Sequence, residues 1–173
     1  MPPSAGGCWV TGGGFIVDAD GNDSFGGNAM PMKSGTVRGE WEHQDHGTGD
    51  AAHGQATYIY CRTVPGPGPG HPSGPHHDFT VNQVYFGGPA RWLAGGGWTD
   101  GYWFDVVAED HGEPGTADTY LFTIRQYAGN AQSGAVVYQT SGTLAGGNIQ
   151  IHPPNPGHPG TQSTLPPWVQ LQP

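Results

Sequence analysis

The chain has 173 residues, of which 32 are Gly and 17 are Pro; this composition excludes long helices, and the length predicts a single domain. Six Trp, seven Tyr and six Phe supply apolar surface that disordered chains lack, so we expect a folded protein. Five basic residues against 14 acidic ones give a net charge of -9, which argues against nucleic acid as a partner. No stretch approaches the roughly 18 apolar residues of a membrane span, and the first residues lack the features of an export signal.

Alternation of apolar and polar residues predicts many short strands. In chain order they cover residues 9–10, 14–17, 24–30, 35–45, 56–62, 78–86, 101–109, 119–127, 135–141 and 148–152. Turn residues separate them at 18–23, 87–89, 95–97, 112–115, 129–130 and 145–147. This pattern predicts an all-β fold, a two-sheet antiparallel β-sandwich, with a jelly-roll or β-barrel as the alternative.

One strand shows the predicted inner and outer faces clearly. In 101–109 the core-facing set is Tyr102, Phe104, Val106 and Ala108, and the strand is expected to form a hairpin with 119–127.

Residues 1–152 are expected to form the β-sandwich domain, with a Pro/Gly-rich surface loop at 64–77. Residues 153–173 form a Pro-rich tail, whose segment 168–171 is suited to dock on a sheet or on a neighbouring molecule.

Histidines and carboxylates are concentrated after residue 40. His43, His46 and His53 offer three imidazoles for a zinc or copper ion, and Asp45 or Asp50 is placed to orient one of the rings. In a regular strand, however, His43 and Asp45 point to one face and His46 to the other, so convergence requires the strand to end or bulge near Asp45. The alternative is a set of hydrogen-bonded or solvated histidines at a strand end.

Oxygen ligands also alternate in an early turn. Asp18, Asp20, Asn22 and Asp23 resemble the start of a calcium loop, although the EF-hand order and its downstream Glu are missing. A hairpin turn explains the same residues without an ion.

Three aromatic residues near the 95–97 turn are candidates for ligand binding. Trp98, Tyr102 and Trp103 are able to stack on sugar rings, and core packing is the alternative for each of them. The sequence contains no G-x-S-x-G elbow, P-loop or kinase signature, so no catalytic residue is assigned.

Two cysteines bear on the compartment of the protein. Cys8 and Cys61 each flank an apolar strand-like run, which favours a disulfide between an N-terminal and a central strand. Two buried thiols in a cytosolic protein are the alternative. With few Lys residues and a Gly/Pro-rich composition, the disulfide indicates an extracellular or cell-surface protein.

Three parts of the sequence together resemble a known family. They are TGGGFI at 11–16 with FGGNA at 25–29, GEWEHQDH at 39–46, and GGNIQIHPP at 146–154. These motifs resemble the exported bacterial β-sandwich domains of the post-choice-of-anchor type, over about residues 8–158. The resemblance implies two packed sheets and a secreted or surface setting, and it implies no reaction. The Pro/Gly-rich insertion at 64–77 departs from the family pattern.

Three functions follow as hypotheses. The first is a secreted or cell-surface module that binds a glycan or a protein through loops and aromatic-rich edges. The second is a metalloenzyme in which the three histidines hold zinc or copper. The third is a structural subunit of an extracellular assembly, which self-associates through the tail or an edge strand.

Overall fold

A computed structural model describes residues 7–69, 79–129, 133–154 and 162–172, and nearly all of the regular structure is β-strand. A 3-10 turn at Gly115–Ala117 is the only helical element in these ranges. The predicted all-β fold is confirmed. The strands are β1 (Trp9–Asp18), β2 (Gly21–Pro31), β3 (Val37–Arg38), β4 (Glu40–Asp45), β5 (Ala51–Gln55), β6 (Tyr58–Arg62), β7 (Gln83–Ala94), β8 (Gly97–Glu109), β9 (Thr119–Tyr127), β10 (Ser133–Thr143) and β11 (Gly146–His152).

Antiparallel pairing joins these strands into one continuous sheet. Their order is β10-β9-β8-β7-β5-β4-β2-β1-β11, with β3 beside β2 and β6 beside β7. The sheet curls strongly, so that β1 and β10, which lie near opposite ends of this order, approach each other. Thr140 Oγ1 in β10 donates a hydrogen bond of 3.1 Å to Asp18 Oδ2 at the end of β1. Strands that we predicted in two separate sheets therefore belong to a single curled one.

The largest difference between the predicted and the observed strands lies in β7. Residues 87–89 were predicted to form a turn, but they lie inside this strand, where its partner changes from β6 to β5. A Cβ atom on Gly88 would lie 1.9 Å from the carbonyl oxygen of Gln55, so the close approach of the two chains requires glycine. Pro89, next to it, has no N–H to donate. The Gly-Gly-Pro sequence thus marks a change of partner within a strand.

The predicted strand 35–45 is also interrupted. Gly39 has φ of +140°, and it separates the short β3 from β4. A Cβ atom at this position would lie 2.1 Å from the carbonyl oxygen of Asn28. The strand β5 was not predicted at all, because its sequence Ala-Ala-His-Gly-Gln lacks β-branched residues.

The inner face of the sheet carries the main hydrophobic core. In β4, Trp41, His43 and Asp45 are buried and alternate with exposed residues, as the period-two pattern predicted. In β8, the predicted core face is likewise confirmed, with Phe104 fully enclosed and Tyr102 packed at the margin. The predicted hairpin between β8 and β9 forms in register from Tyr102–Gln126 to Glu109–Thr119.

The tail covers a second apolar cluster on the outer face. Tyr58, Tyr85 and Trp103 are buried there, and the ring of Trp168 meets that of Trp103 edge-on at 5.2 Å between centroids. The backbone N–H of Ser163 donates to the carbonyl of Ile59 in β6. Residues 162–172 therefore dock on the chain's own sheet. Residues 155–161 of the tail and 70–77 of the Pro/Gly-rich loop lie outside the described residues.

The predicted disulfide is confirmed. Cys8, just before β1, is bonded to Cys61 in β6, with 6.3 Å between their Cα atoms. The strands β1 and β6 are not neighbours in the sheet, and the two cysteines are 53 positions apart in the sequence. The bond therefore crosslinks parts of the curled sheet that strand pairing does not join.

The outer edge of β11 is capped by two buried carboxylates. The backbone N–H of Ile151 donates to Asp110 Oδ2 over 2.8 Å, and that of Ile149 donates to Asp118 Oδ2 over 2.9 Å. Both aspartates lie in the segment between β8 and β9. The backbone N–H groups of Ile149 and Ile151 at this edge already donate to carboxylate oxygens. They are therefore not available to pair β11 with a strand of another molecule.

Candidate functional site

The three histidines of the predicted zinc or copper site are not brought together. His43 is buried on the inner face of β4, whereas His53 lies on the outer face, directly opposite Glu42 in the pairing of β4 with β5. The imidazole of His46 is hydrogen-bonded at Nε2 to Ser24 Oγ over 2.8 Å, at the exposed end of the strand. Strand β4 has no bulge but ends at Asp45, one of the two conditions given for convergence, and His46 beyond that end still bonds to Ser24 instead of joining His43.

Two of the predicted ligand sets instead contribute to one cluster. Asp18, Asp23 and Asp45 each offer an oxygen, and these oxygens lie within 4.8 Å of one another. Asp23 and Asp45 are fully buried, and Asp18 is partly exposed. The three residues come from adjacent strands β1, β2 and β4, so they form a row across the inner face. We call them the acid row.

Aromatic and histidine side chains surround the acid row. Tyr138 Oη lies 2.8 Å from Asp23 Oδ2 and 3.0 Å from Asp45 Oδ2. His43 Nε2 lies 3.2 Å from Asp23 Oδ2, and its Nδ1 lies 3.0 Å from Tyr120 Oη. These contacts are satisfied by the neutral tautomer in which Nε2–H donates to Asp23 and Nδ1 accepts from Tyr120.

Burial decides the direction of the pKa shift at Asp23 and at His43, but not at Asp45. It raises the pKa of Asp23 to about 6; the hydrogen bond from Tyr138 opposes this, and the charges of Asp45 and Asp18 add to it. Burial lowers the pKa of His43 to about 4, so its imidazole is neutral at pH 7. Burial also raises the pKa of Asp45, but hydrogen bonds from Thr48, Tyr138 and Gly47 outweigh it, and the net direction is downward.

The remaining predicted calcium ligands stay outside the acid row. Asp20 is exposed in the turn between β1 and β2, and Asn22 is exposed at the start of β2. Asp18 Oδ1 accepts the backbone N–H groups of Asp20 and Gly21, which is the local turn chemistry that we gave as the alternative. The turn therefore contributes Asp18 and Asp23 to the row and no further ligand.

A cleft of about 650 Å³ lies on the outer face of the sheet. Its polar wall comes from β4, β5, β7 and the first half of β8, and the end of β9 closes it. Two aromatic residues, Tyr102 and Tyr127, line it. The other lining residues include carboxylate, amide, imidazole and guanidinium groups: Glu40, His53, Gln55, Arg91 and Asp100. Its volume lies within the range of ligand pockets.

Charges of both signs meet along this cleft. His53 Nε2 lies 3.8 Å from Glu40 Oε2, and His53 Nδ1 lies 3.8 Å from Glu42 Oε1. Arg91 Nε lies 3.4 Å from Asp100 Oδ1, with the two side chains 60% and 88% exposed. Exposed pairs of this kind contribute little to stability, so their polar groups are available to a ligand at small cost.

The three predicted aromatic ligand residues do not form one platform. Trp103 is buried beneath Trp168, and Tyr102 lines the cleft while packing against the inner core. Trp98 is 45% exposed at the β7–β8 turn, and the guanidinium of Arg91 lies 5.3 Å from its ring centroid. Trp103 is thus packed beneath the tail and is not part of the exposed surface.

Several residues of both sites were missed from the sequence. Tyr138 and Thr140 reach the acid row from β10, and Tyr127 and Arg91 reach the cleft from β9 and β7. The alternation in β10 places Tyr138 and Thr140 on one face, but nothing local in sequence shows that β10 approaches β1 across the curled sheet.

No protein-family model, curated protein or solved structure matches this chain. Within the described ranges there is no helix with the length and apolar character needed to cross a membrane. Function is therefore inferred from the geometry of the sites.

Proposed function

We propose that this chain is a secreted or cell-surface module that binds glycans through the outer cleft. The observation that carries the proposal is the lining of that cleft, which combines the polar residues Glu40, Gln55, Arg91 and Asp100 with the aromatic ring of Tyr127. Planar carboxylate, amide and guanidinium groups form paired hydrogen bonds, which suit the adjacent hydroxyl groups of a sugar ring.

The aromatic component is held in place by its neighbours. The ring of Tyr127 lies 4.8 Å from that of Trp103 and 6.1 Å from that of Trp168. A side chain restrained in this way loses little conformational entropy when a ligand binds. A protein partner needs about 800 Å² of matching surface, whereas a concave cleft of this volume fits a few sugar units, so a glycan is favoured.

An extracellular setting is supported by the Cys8–Cys61 disulfide, because such bonds persist in oxidising compartments. It agrees with the resemblance to post-choice-of-anchor domains, which we propose as the family.

No specific observation supports either of the two alternative functions. A three-histidine zinc or copper enzyme lacks converging imidazoles, and the tail that was to join neighbours packs on its own sheet.

Binding of the full-length chain to a glycan array, followed by calorimetry with the oligosaccharide retained best, tests the proposal. Arg91→Ala removes a charged donor from the cleft, and we expect affinity to fall by at least about 10-fold. Arg38→Ala is the matched control, because Arg38 is an exposed arginine on β3, outside the cleft lining.

Two results would contradict the proposal. One is the absence of binding to any glycan at millimolar concentration by correctly folded protein. The other is binding that Arg91→Ala leaves unchanged or that Arg38→Ala weakens equally, since either pattern would place the ligand elsewhere on the surface.

A further inference from the structure

We propose that the acid row, Asp18, Asp23 and Asp45, is a binding site for an oxygen-ligated divalent cation, with Ca²⁺ as the ion whose chemistry it fits. This site lies on the inner face of β4, whereas the glycan cleft lies on the outer face. The proposal is therefore independent of the proposed function.

Strand register places like charges against each other. Asp23 and Asp45 are direct partners in the pairing of β2 with β4. Asp18 is two residues beyond Ile16, the partner of Asp23 on β1, and so is its diagonal neighbour on the same face. Like charges at directly opposed positions destabilise a sheet. Three of them in a row on a mostly buried face are unfavourable unless a compensating charge lies close by.

The hydrogen-bond donors in the site do not cancel the charge of the carboxylates. Tyr138 Oη lies within hydrogen-bond distance of both Asp23 Oδ2 and Asp45 Oδ2, and His43 Nε2–H is a second donor to Asp23 Oδ2. Both donors are neutral groups, so they satisfy oxygens without supplying a positive charge.

A second observation points to a missing ligand. Asp23 is 0% exposed, and its other oxygen, Oδ1, has no hydrogen-bond partner among the described groups. A buried carboxylate oxygen without a partner is rare in folded proteins, and a bound ion is one of its ordinary explanations.

The basic residues of the chain lie elsewhere. It has five Lys and Arg residues, all within the described ranges, and none forms an ion pair with the acid row. Arg91 pairs with Asp100, and Arg125 pairs with Asp105 on the outer face. The role of counter-charge is therefore open to a metal ion.

The donor set selects the type of ion. All three acid-row ligands are carboxylate oxygens, and the hydroxyl of Thr140 adjoins them through Asp18 Oδ2. Ca²⁺ binds such oxygens at 2.3–2.6 Å, so ligands on opposite sides of the ion lie at most about 5 Å apart. The observed separations, within 4.8 Å, fit this arrangement. Zinc and copper prefer nitrogen or sulfur ligands, which the row lacks.

A cation here would strengthen the contact between β10 and the paired strands that carry the acid row. The acid row spans β1, β2 and β4, and Tyr138 and Thr140 bring β10 against it from the far end of the sheet. Binding of the ion would stabilise the closure of the curled sheet, and Asp18, which is partly exposed, provides the entry from solvent.

The first experiment measures thermal stability of full-length protein treated with EDTA and then dialysed. Addition of CaCl₂ at about 100 times its dissociation constant is expected to raise Tm by about 5–10 °C. Tb³⁺, a luminescent substitute for Ca²⁺, is expected to show emission sensitised by Tyr138, and Ca²⁺ is expected to displace it. If neither a Ca²⁺-dependent shift in Tm nor sensitised emission is seen, the proposal is wrong.

Asp23→Asn gives a test in which the effect changes sign. Without Ca²⁺ this variant removes a buried and unpaired charge, so its Tm should equal or exceed that of the wild type. With Ca²⁺ the wild type should be the more stable, because the variant has lost a ligand. A purely structural role for Asp23 would lower Tm equally in both conditions, and that result would overturn the proposal.

A second variant and a control keep the test decisive if Asp23→Asn does not fold. Asp18→Asn retains an oxygen for the turn N–H groups and is expected to lose Tb³⁺ emission. Glu42→Gln removes one charge from the opposite, exposed face of β4 and is expected to keep both the emission and the shift in Tm. Equal loss in Glu42→Gln would mean that general charge attraction binds the ion, which contradicts a defined site.

Discussion

The carboxyl group of Asp110 gives a prediction for how stability depends on pH. It is 2% exposed and accepts the N–H of Ile151 at Oδ2 and that of Gly112 at Oδ1. Burial raises its pKa to about 7 from an ordinary value of 3.8, although these two hydrogen bonds favour the charged form. The folded state therefore holds the proton more tightly than the unfolded state does.

The sign and size of the effect follow from linkage. Between pH 4 and pH 7 the folded state binds more protons at Asp110, so the free energy of unfolding decreases as pH rises. The difference of about three pKa units corresponds to about 4 kcal/mol. This contribution is fully present below pH 4 and is lost by the time pH has passed 7.

Urea denaturation followed by tryptophan fluorescence, at intervals from pH 4 to pH 8, measures this contribution. Asp110→Asn removes the titrating group, so the stability of the wild type minus that of the variant should fall by about 4 kcal/mol across the range. Asp20→Asn, in the exposed β1–β2 turn, is the control. A difference that rises with pH would refute the reasoning, because it would mean that the two hydrogen bonds outweigh burial.

Two further predictions concern the fold. Replacing both Cys8 and Cys61 by Ala should reduce the free energy of unfolding by about 2–4 kcal/mol in urea, and an unchanged midpoint would show that the crosslink contributes nothing. Gly88→Ala should cost at least about 2 kcal/mol or prevent folding, because its Cβ would meet the carbonyl of Gln55 at 1.9 Å. Gly97→Ala has open space and should fold normally, so equal losses in the two variants would contradict the packing argument.

Alternation of side chains was sufficient to predict the faces of β4 and β8, because a strand repeats every two residues whatever its partners are. It was not sufficient to predict where β7 continues. Gly88 and Pro89 are typical of turns, and only the close approach of Gln55 explains their place inside a strand. The local sequence therefore predicts which residues alternate along a strand, but it does not predict where the strand changes its pairing partner.

The candidate sites, too, could be predicted only as far as neighbours in the sequence indicate them. The sequence identified His43 and Asp45 in one predicted metal site and Asp18 and Asp23 in another, and each assignment relied on neighbours in the chain. The structure combines members of both sets because β2 pairs with β4, a contact between segments about 20 residues apart. His53 was grouped with His43 by its distance in sequence, and the register of β5 turns it to the other face.

Both proposed sites depend on the register of β4. With Trp41, His43 and Asp45 inward, Glu40 faces the cleft and Asp45 faces Asp23. A shift of one residue would reverse every side chain, so the cleft would lose its acid and the acid row would lose a ligand. The register is held without interruption by pairing with β2 on one side and β5 on the other. Because the two sites use opposite faces of one strand, Asp23→Asn and Arg91→Ala should each weaken one binding event and leave the other intact.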